Sequence, residues 1–237
     1  VDELMEENGK LWHNHKKGKS TINGFLEDYA TVVDAFIGLY ETTLAEKWLQ
    51  KAHLLTEYAI AEFYDAAEEL FHFTPKEDAV LIRRTFEVAD NVIPSSNALM
   101  AQNLLKLSKY FVNSAYRDVV KGMMGRMEKS IKENPQSHAL WLQVALSLQL
   151  PFFEIAIVGP KGTTMAHELA THYLPNTLLA AAEKEGAIPL LKDRFSPNST
   201  MIHVCREGQC QLPVSTVKDA LVQLNGETWK HQEEKHG

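Results

Sequence analysis

The chain has 237 residues, 45% of them hydrophobic and 23% charged, a composition that can bury a core and excludes disorder as the default. The formal net charge is -7 and the lysines and arginines are dispersed, so a phosphate backbone finds no basic stripe and nucleic acid is not an expected partner. No apolar run reaches the ~18 residues of a membrane span, and the acidic start "VDELMEENGK" lacks a secretory pattern, although a start without Met implies missing upstream sequence.

The informative part begins with "GKLWHNHKKGKSTINGF", where Gly9, Gly18 and Gly24 punctuate two short segments around a basic turn and predict a hairpin-like excursion. From Leu26 the apolar residues Tyr29, Val33, Phe36, Ile37 and Tyr40 recur at helical spacing, with Asp28 in the first turn where the helix dipole favours a carboxylate. A second helix is expected from about Ala45, with Trp48, Ala52, Leu55, Ala59 and Phe63 on one side. "LFHF" and "VLIRRTF" then read as short strands around Pro75.

After Pro94 the apolar body from Ala98 to Phe111 predicts an enclosed helix, with Ser95 or Ser96 accepting bonds from the orphan amides of its first turn. Ser114 to Glu133 is amphipathic, with Val120, Met123, Met124, Met127 and Ile131 in one stripe, and Ser137 to Leu150 is again largely apolar. Richly apolar and amphipathic helices thus alternate, as an inner and an outer ring of paired helices would require. Beyond Pro151 the texture changes: "FEIAIVG", an amphipathic segment from Thr163 to Tyr173 and "NTLLAAA" predict a small βαβ unit. "TMIHVC" predicts a further strand, "REGQ" a turn, Ser215 to Leu224 a last helix, and "ETWKHQEEKHG" a frayed tail. The expected division is a helical portion, 1–151, and a C-terminal α/β element, 152–237.

Three blocks, "GFLEDYA" at Gly24 to Ala30, "DNVIPSSNALMAQNLL" at Asp90 to Leu105 and "VCREGQCQLPV" at Val204 to Val214, resemble the thioredoxin-domain-containing, spermatogenesis-associated protein family. That resemblance implies a mainly α fold, a partial (α/α)6 toroid related to N-acylglucosamine 2-epimerases and six-hairpin glycosidases. The thioredoxin-like part and the first hairpins of the toroid are missing from this sequence, and Ser96 stands where the family usually has Gly. The function it implies is binding or processing of a carbohydrate-like small molecule, as a sugar isomerase, epimerase or glycosidase. The alternative is a noncatalytic scaffold for a thioredoxin-like domain in cis or in trans.

In such a toroid the inner-helix N-termini converge on one mouth, which places Glu27, Asp28 and Tyr29 with Asp90, Ser95 and Asn97 on its rim. Glu27, Asp28 and Asp90 are the candidate catalytic carboxylates, since sugar chemistry uses paired carboxylates as acid, base or nucleophile, and Glu87 supplies a further one. Tyr29, Arg84, Ser95 and Asn97 are the candidate substrate-binding residues. Asp28, Ser95 and Asn97 equally suit caps that stabilise helix ends, and Arg84 equally suits an ion pair. His72 is the nearest histidine for proton transfer, otherwise a partly buried strand residue.

His13 and His15 among Lys16, Lys17 and Lys19 read as a solvated basic loop rather than a metal pair, and no metal or other cofactor is expected. "IVGPKG" lacks the full pattern of a phosphate-binding loop. Two cysteines are too few for a disulfide framework, so a reducing, cytoplasmic setting is expected. The family match gives Cys205 and Cys210 a structural role, with zinc binding alongside His203 or redox function as alternatives. Without a secretory route the "NST" at Asn198 is read as chance rather than a glycosylation site. Missing hairpins would expose apolar surface, which allows a homo-oligomer.

Overall fold

A computed structural model describes residues 3–78 and 83–225. They fall into two compact units, one within Val1–Ser108 and Asn113–Leu146, the other within Lys109–Val112 and Ser147–Gly237. The chain is mainly helical, with a four-stranded sheet in the second unit. Among the described residues no helix is long and apolar enough to cross a membrane.

The first unit opens with the expected hairpin, β1 (His15–Lys16) and β2 (Lys19–Ser20), whose turn residues Lys17 and Gly18 have φ of 52° and 72°. Left-handed pairs of this kind match the twist of a two-residue hairpin. Helix α1 (Leu26–Thr43) buries Leu26, Tyr29, Val33, Phe36, Ile37 and Tyr40, the stripe its sequence spacing predicts. It ends where Leu44 turns left-handed, with its N–H on Tyr40 O at 2.7 Å. A short connection leads into α2 (Lys47–Phe63), which packs against α1 through Leu49, Ala52, Leu55, Ala59 and Phe63. Each large apolar side chain buried in this way contributes about 1.5–3 kcal/mol.

Strand β3 (Tyr64–Asp65) follows α2 directly and pairs with β4 (Leu70–Phe71). The two strand-like runs expected here are therefore shorter than their sequences suggest. In "LFHF" only Leu70–Phe71 is strand, His72 makes a single bridge to Phe86, and Val80–Ile82 of "VLIRRTF" lie outside the described residues. The tail "ETWKHQEEKHG" also lies outside them.

Helix α3 (Ser96–Tyr110) is buried on nearly every side, as its apolar body requires. Helix α4 (Ser114–Glu133) starts at the Asn113 cap, whose side-chain oxygen accepts from Ala115 N at 3.0 Å, and buries Val120, Met123, Met127 and Ile131 in the expected stripe. Helix α5 (Ala139–Gln149) departs from expectation: Leu140, Trp141 and Val144 are buried, but Leu142 and Leu146 are exposed. Apolar composition did not translate into enclosure here, because only one face of the helix is covered.

The second unit has the strand order β6-β5-β7-β8. Its centre is β5 (Phe153–Val158), buried from Glu154 to Val158 and parallel to β6 (Thr177–Ala182), with α6 (Gly162–Ala170) as the crossover a parallel pair needs. On the other side β5 runs antiparallel to β7 (Met201–Arg206), which turns back into β8 (Gln209–Cys210). Helix α7 (Val217–Leu224) packs on β7. At the end of β5, Gly159 has φ 137°, and a Cβ there would lie 2.6 Å from Thr200 Cα. Only glycine fits that crossing.

Candidate functional site

The backbone amides at the start of α3 are engaged by the protein itself, whereas the buried Ser96 Oγ has no hydrogen-bond partner among the described residues. Ser95 N–H donates to Asp90 Oδ1 at 2.9 Å, Ser96 N–H to Glu87 Oε2 at 3.1 Å, Asn97 N–H to Glu87 O at 3.4 Å and Ala98 N–H to Ser95 Oγ at 3.4 Å. Leu99 N–H then makes the first regular helical bond, to Ser95 O at 3.0 Å. The orphan amides of the first turn are thus accounted for one by one.

Asp90 reaches further. Its second oxygen accepts from Leu140 N at 3.0 Å in the first turn of α5, and its own N–H donates to Ser137 O at 2.8 Å. One carboxylate therefore fastens the starts of two helices. Asn97, fully buried, accepts from Phe71 N at 2.8 Å and donates to Phe71 O and Glu87 O, both at 2.9 Å. Arg84 donates to backbone carbonyls, Nε to Thr74 O and Nη2 to Glu62 O, each at 3.0 Å.

At the start of α1, Asp28 Oδ2 accepts from Phe25 N at 2.8 Å and lies 2.9 Å from His13 Nδ1. The side chains of His13 and Asp28 are 38% and 25% exposed, so this pair faces solvent. His13 also packs on Phe25, ring centroids 5.0 Å apart, and Phe25 stacks on Phe73 at 5.1 Å. Glu27 is half-buried, and its carboxylate has no hydrogen-bond or ion-pair partner among the described residues. Tyr29 is buried: its hydroxyl accepts from Leu11 N at 2.7 Å, its ring stacks on Tyr58 at 5.5 Å, and burial pushes its pKa well above the usual phenol value.

The segment Phe71–Phe73 links these two clusters. Leu26 N, in the first turn of α1, donates to Phe73 O at 3.0 Å, while Asn97, in the first turn of α3, brackets Phe71. The N-terminal ends of α1 and α3 are thus tied to residues two apart in sequence, about 6–7 Å along an extended chain. The start of α1 carries Glu27, Asp28 and Tyr29, and the start of α3 carries Ser96 and Asn97, with Ser95 just ahead of it and Asp90 bonded to Ser95.

Two further titratable clusters lie in the helical unit, one of them on His72 within the linking segment itself. His72 Nε2 is 3.1 Å from Asp65 Oδ2, and bonds from Ala67 N, His72 and Glu68 N hold the Asp65 carboxyl below its usual range. Tyr116 donates to Glu57 Oε1 and meets His53 Nδ1 at 2.8 Å, and burial followed by the Glu57 contact raises its pKa strongly. No group of three or more histidine, cysteine, aspartate or glutamate side chains is arranged to hold a metal ion among the described residues. The "IVGPKG" segment is tied internally, Gly162 N–H to Gly159 O at 2.8 Å and Lys161 N–H to Thr200 Oγ1 at 2.9 Å.

Sequence spacing missed His13 as a partner of Asp28, because the pair depends on how the hairpin folds back over α1. It also missed the bond closed between Cys205 and Cys210, which are disulfide-linked across β7 and β8.

The protein is thus a unit of packed helices followed by a small α/β unit. No family model matches the chain. Over 204 residues, 81% of the chain, it is 26% identical to human spermatogenesis-associated protein 20, and over the same length 25% identical to the mouse protein of that name. It is 20% identical over 235 residues, 92% of the chain, to an uncharacterized protein of Caenorhabditis elegans. The chain spans about a quarter of the human and mouse proteins, 26% of each. These similarities support the spermatogenesis-associated resemblance carried by the three sequence blocks.

Proposed function

We propose that the helical unit is part of an α/α toroid that binds, and processes, a carbohydrate-like small molecule at the end where α1 and α3 begin. The observation that carries this reading is the His13–Asp28 pair: a solvent-facing imidazole with Nδ1 at 2.9 Å from a carboxylate that is itself fixed by Phe25 N. An imidazole oriented in this way can move a proton at Nε2, as sugar isomerisation and epimerisation require. Glu27, next to Asp28 in sequence, supplies an uncommitted carboxylate. Asp90, Ser95, Asn97 and Arg84 form the frame that holds this end together, and Tyr29 supports it from below. The setting we propose is cytoplasmic, with no cofactor.

A thermal-shift screen against monosaccharides, amino sugars, sugar phosphates and oligosaccharides tests the reading. The expected result is a concentration-dependent stabilisation that disappears in Glu27→Gln and His13→Gln while both variants keep the unliganded melting temperature. Stabilisation that both variants retain would remove these residues from the site. Silence across all sugars would favour the second reading, a noncatalytic scaffold for a thioredoxin-like domain. One observation supports that alternative: both oxygens of Asp90 and the side-chain amide of Asn97 already bond backbone groups.

A further inference from the structure

In the second unit, Cys205 and Cys210 face each other across the β7–β8 hairpin, and the two sulfurs are bonded. The turn between the strands has Glu207 at φ 52° and Gly208 at φ 79°, so a tight two-residue loop sets this register without the disulfide. A bond that closes a loop of so few residues, already closed by its turn, adds little constraint to the unfolded chain. Its chemical surroundings are more distinctive. Cys205 is buried, 2% exposed, whereas Cys210 is exposed on the short strand at the sheet edge. The Arg194 guanidinium lies over both sulfurs, Nη1 at 3.8 Å from Cys205 Sγ and Nη2 at 3.8 Å from Cys210 Sγ.

The charges around the pair come from several elements. Glu154 on β5 is the cross-strand neighbour of Cys205, and its carboxylate, 9% exposed, receives Lys109 Nζ at 2.6 Å. Lys109 also lies 3.7 Å from the more exposed Glu207. His203, two residues before Cys205 on the same side of β7, is held neutral by burial and by Arg194, its pKa pushed down to about 4. Arg194 is thus in contact with both sulfurs, and the Glu154 carboxylate beside Cys205 is shared between the Lys109 ammonium and the field of Arg194. A guanidinium so placed stabilises a thiolate far more than it stabilises a disulfide, which carries no charge.

We propose that Cys205–Cys210 is a thiol–disulfide exchange site that accepts two electrons from a dithiol, with Arg194 as the group that receives the charge released on sulfur. A thiolate of the dithiol attacks the exposed Cys210 Sγ and forms a mixed disulfide. The Cys205–Cys210 bond breaks, and its electron pair leaves on Cys205 Sγ beside Arg194 Nη1. The second thiolate of the dithiol then attacks its own sulfur in the mixed disulfide, which closes the dithiol's disulfide and frees Cys210 as a thiolate beside Arg194 Nη2. The reductant's two protons pass to solvent or to whichever cysteine is protonated at the ambient pH.

The test uses the whole chain with dithiothreitol as the dithiol. Free thiols are counted by alkylation and mass spectrometry while circular dichroism follows the fold. The expected result is reduction of the pair without loss of helix or sheet signal. A pair that opens only as the chain unfolds would identify a structural staple and overturn the proposal. The ultraviolet thiolate absorbance of the reduced wild type, which needs no variant, should then titrate below the ordinary cysteine value of about 8.5. A midpoint at or above that value would also overturn it. In Arg194→Gln the midpoint should rise by about one unit, a tenfold loss of thiolate, while Arg194→Lys should keep most of the effect. An unchanged midpoint in a folded Arg194→Gln would remove Arg194 from the mechanism.

Discussion

Replacing Asp90 with alanine removes the carboxylate that joins the starts of α3 and α5. Two backbone amides lose their acceptors, Ser95 N from a 2.9 Å bond and Leu140 N from a 3.0 Å bond. Hydrogen bonds to a charged group contribute about 1.5–3 kcal/mol each, and lost caps typically cost about 1 kcal/mol each. Because water can reach part of this half-buried loop, the lower end applies and the sum is roughly 3 kcal/mol. For a unit of this size that lowers the melting temperature by roughly 6–12 °C. Asp90→Asn keeps one acceptor oxygen and should lose about half as much. Thermal unfolding followed by far-ultraviolet circular dichroism, with urea titration alongside, measures both variants. A melting temperature for Asp90→Ala within about 2 °C of wild type would refute the idea that this residue holds two helix ends.

Two other predictions concern the second unit. Gly159→Ala should cost about 3 kcal/mol or more in a urea titration, because a Cβ at φ 137° would meet the Thr200 backbone at 2.6 Å, and a loss under about 1 kcal/mol would show that the crossing can open. His203 predicts a pH dependence: burial, with Arg194 beside it, pushes its folded pKa down to about 4, below the ordinary imidazole value of 6.5, so as pH falls through that window the unfolded chain takes up a proton that the folded one refuses. The contribution of His203 to stability is thus complete above about pH 6.5 and lost toward pH 4. It amounts to roughly 2 kcal/mol once solvent screening around the half-buried ring is allowed for. His203→Gln should flatten that part of the stability profile, and an unchanged slope would assign the dependence to other groups.

Much of the fold was legible in the sequence wherever a periodic pattern met a local stop or start signal. The α1 stripe from Leu26 to Tyr40, the amphipathic α4 behind its Asn113 cap, and the β5–α6–β6 unit all fall where spacing places them. Short strands were less legible, since Leu70–Phe71 owes its pairing to Tyr64–Asp65 immediately after α2 rather than to its own composition. The polar block ahead of α3 reads as a cap from its sequence, but Asp90's second partner is Leu140, fifty residues on, and only the folded chain brings them together. The His13–Asp28 pair depends in the same way on the β1–β2 hairpin lying over α1. The Cys205–Cys210 pairing was closer to legible: once Glu207–Gly208 is read as a two-residue turn, the register sets the two cysteines opposite each other.

The segment Phe71–Phe73 has a mechanical consequence. Because Asn97 grips Phe71 on both its amide and its carbonyl while Leu26 hangs from the carbonyl of Phe73, the beginnings of two helices share one short crossbar. Surface loops absorb added residues easily, but one extra residue between Phe71 and Phe73 would move one helix start by about 3.3 Å against the other and turn the next side chain to the opposite face. The length of that crossbar is therefore fixed more tightly than its sequence, and homologous chains should vary in the residues there long before they vary in the number of them.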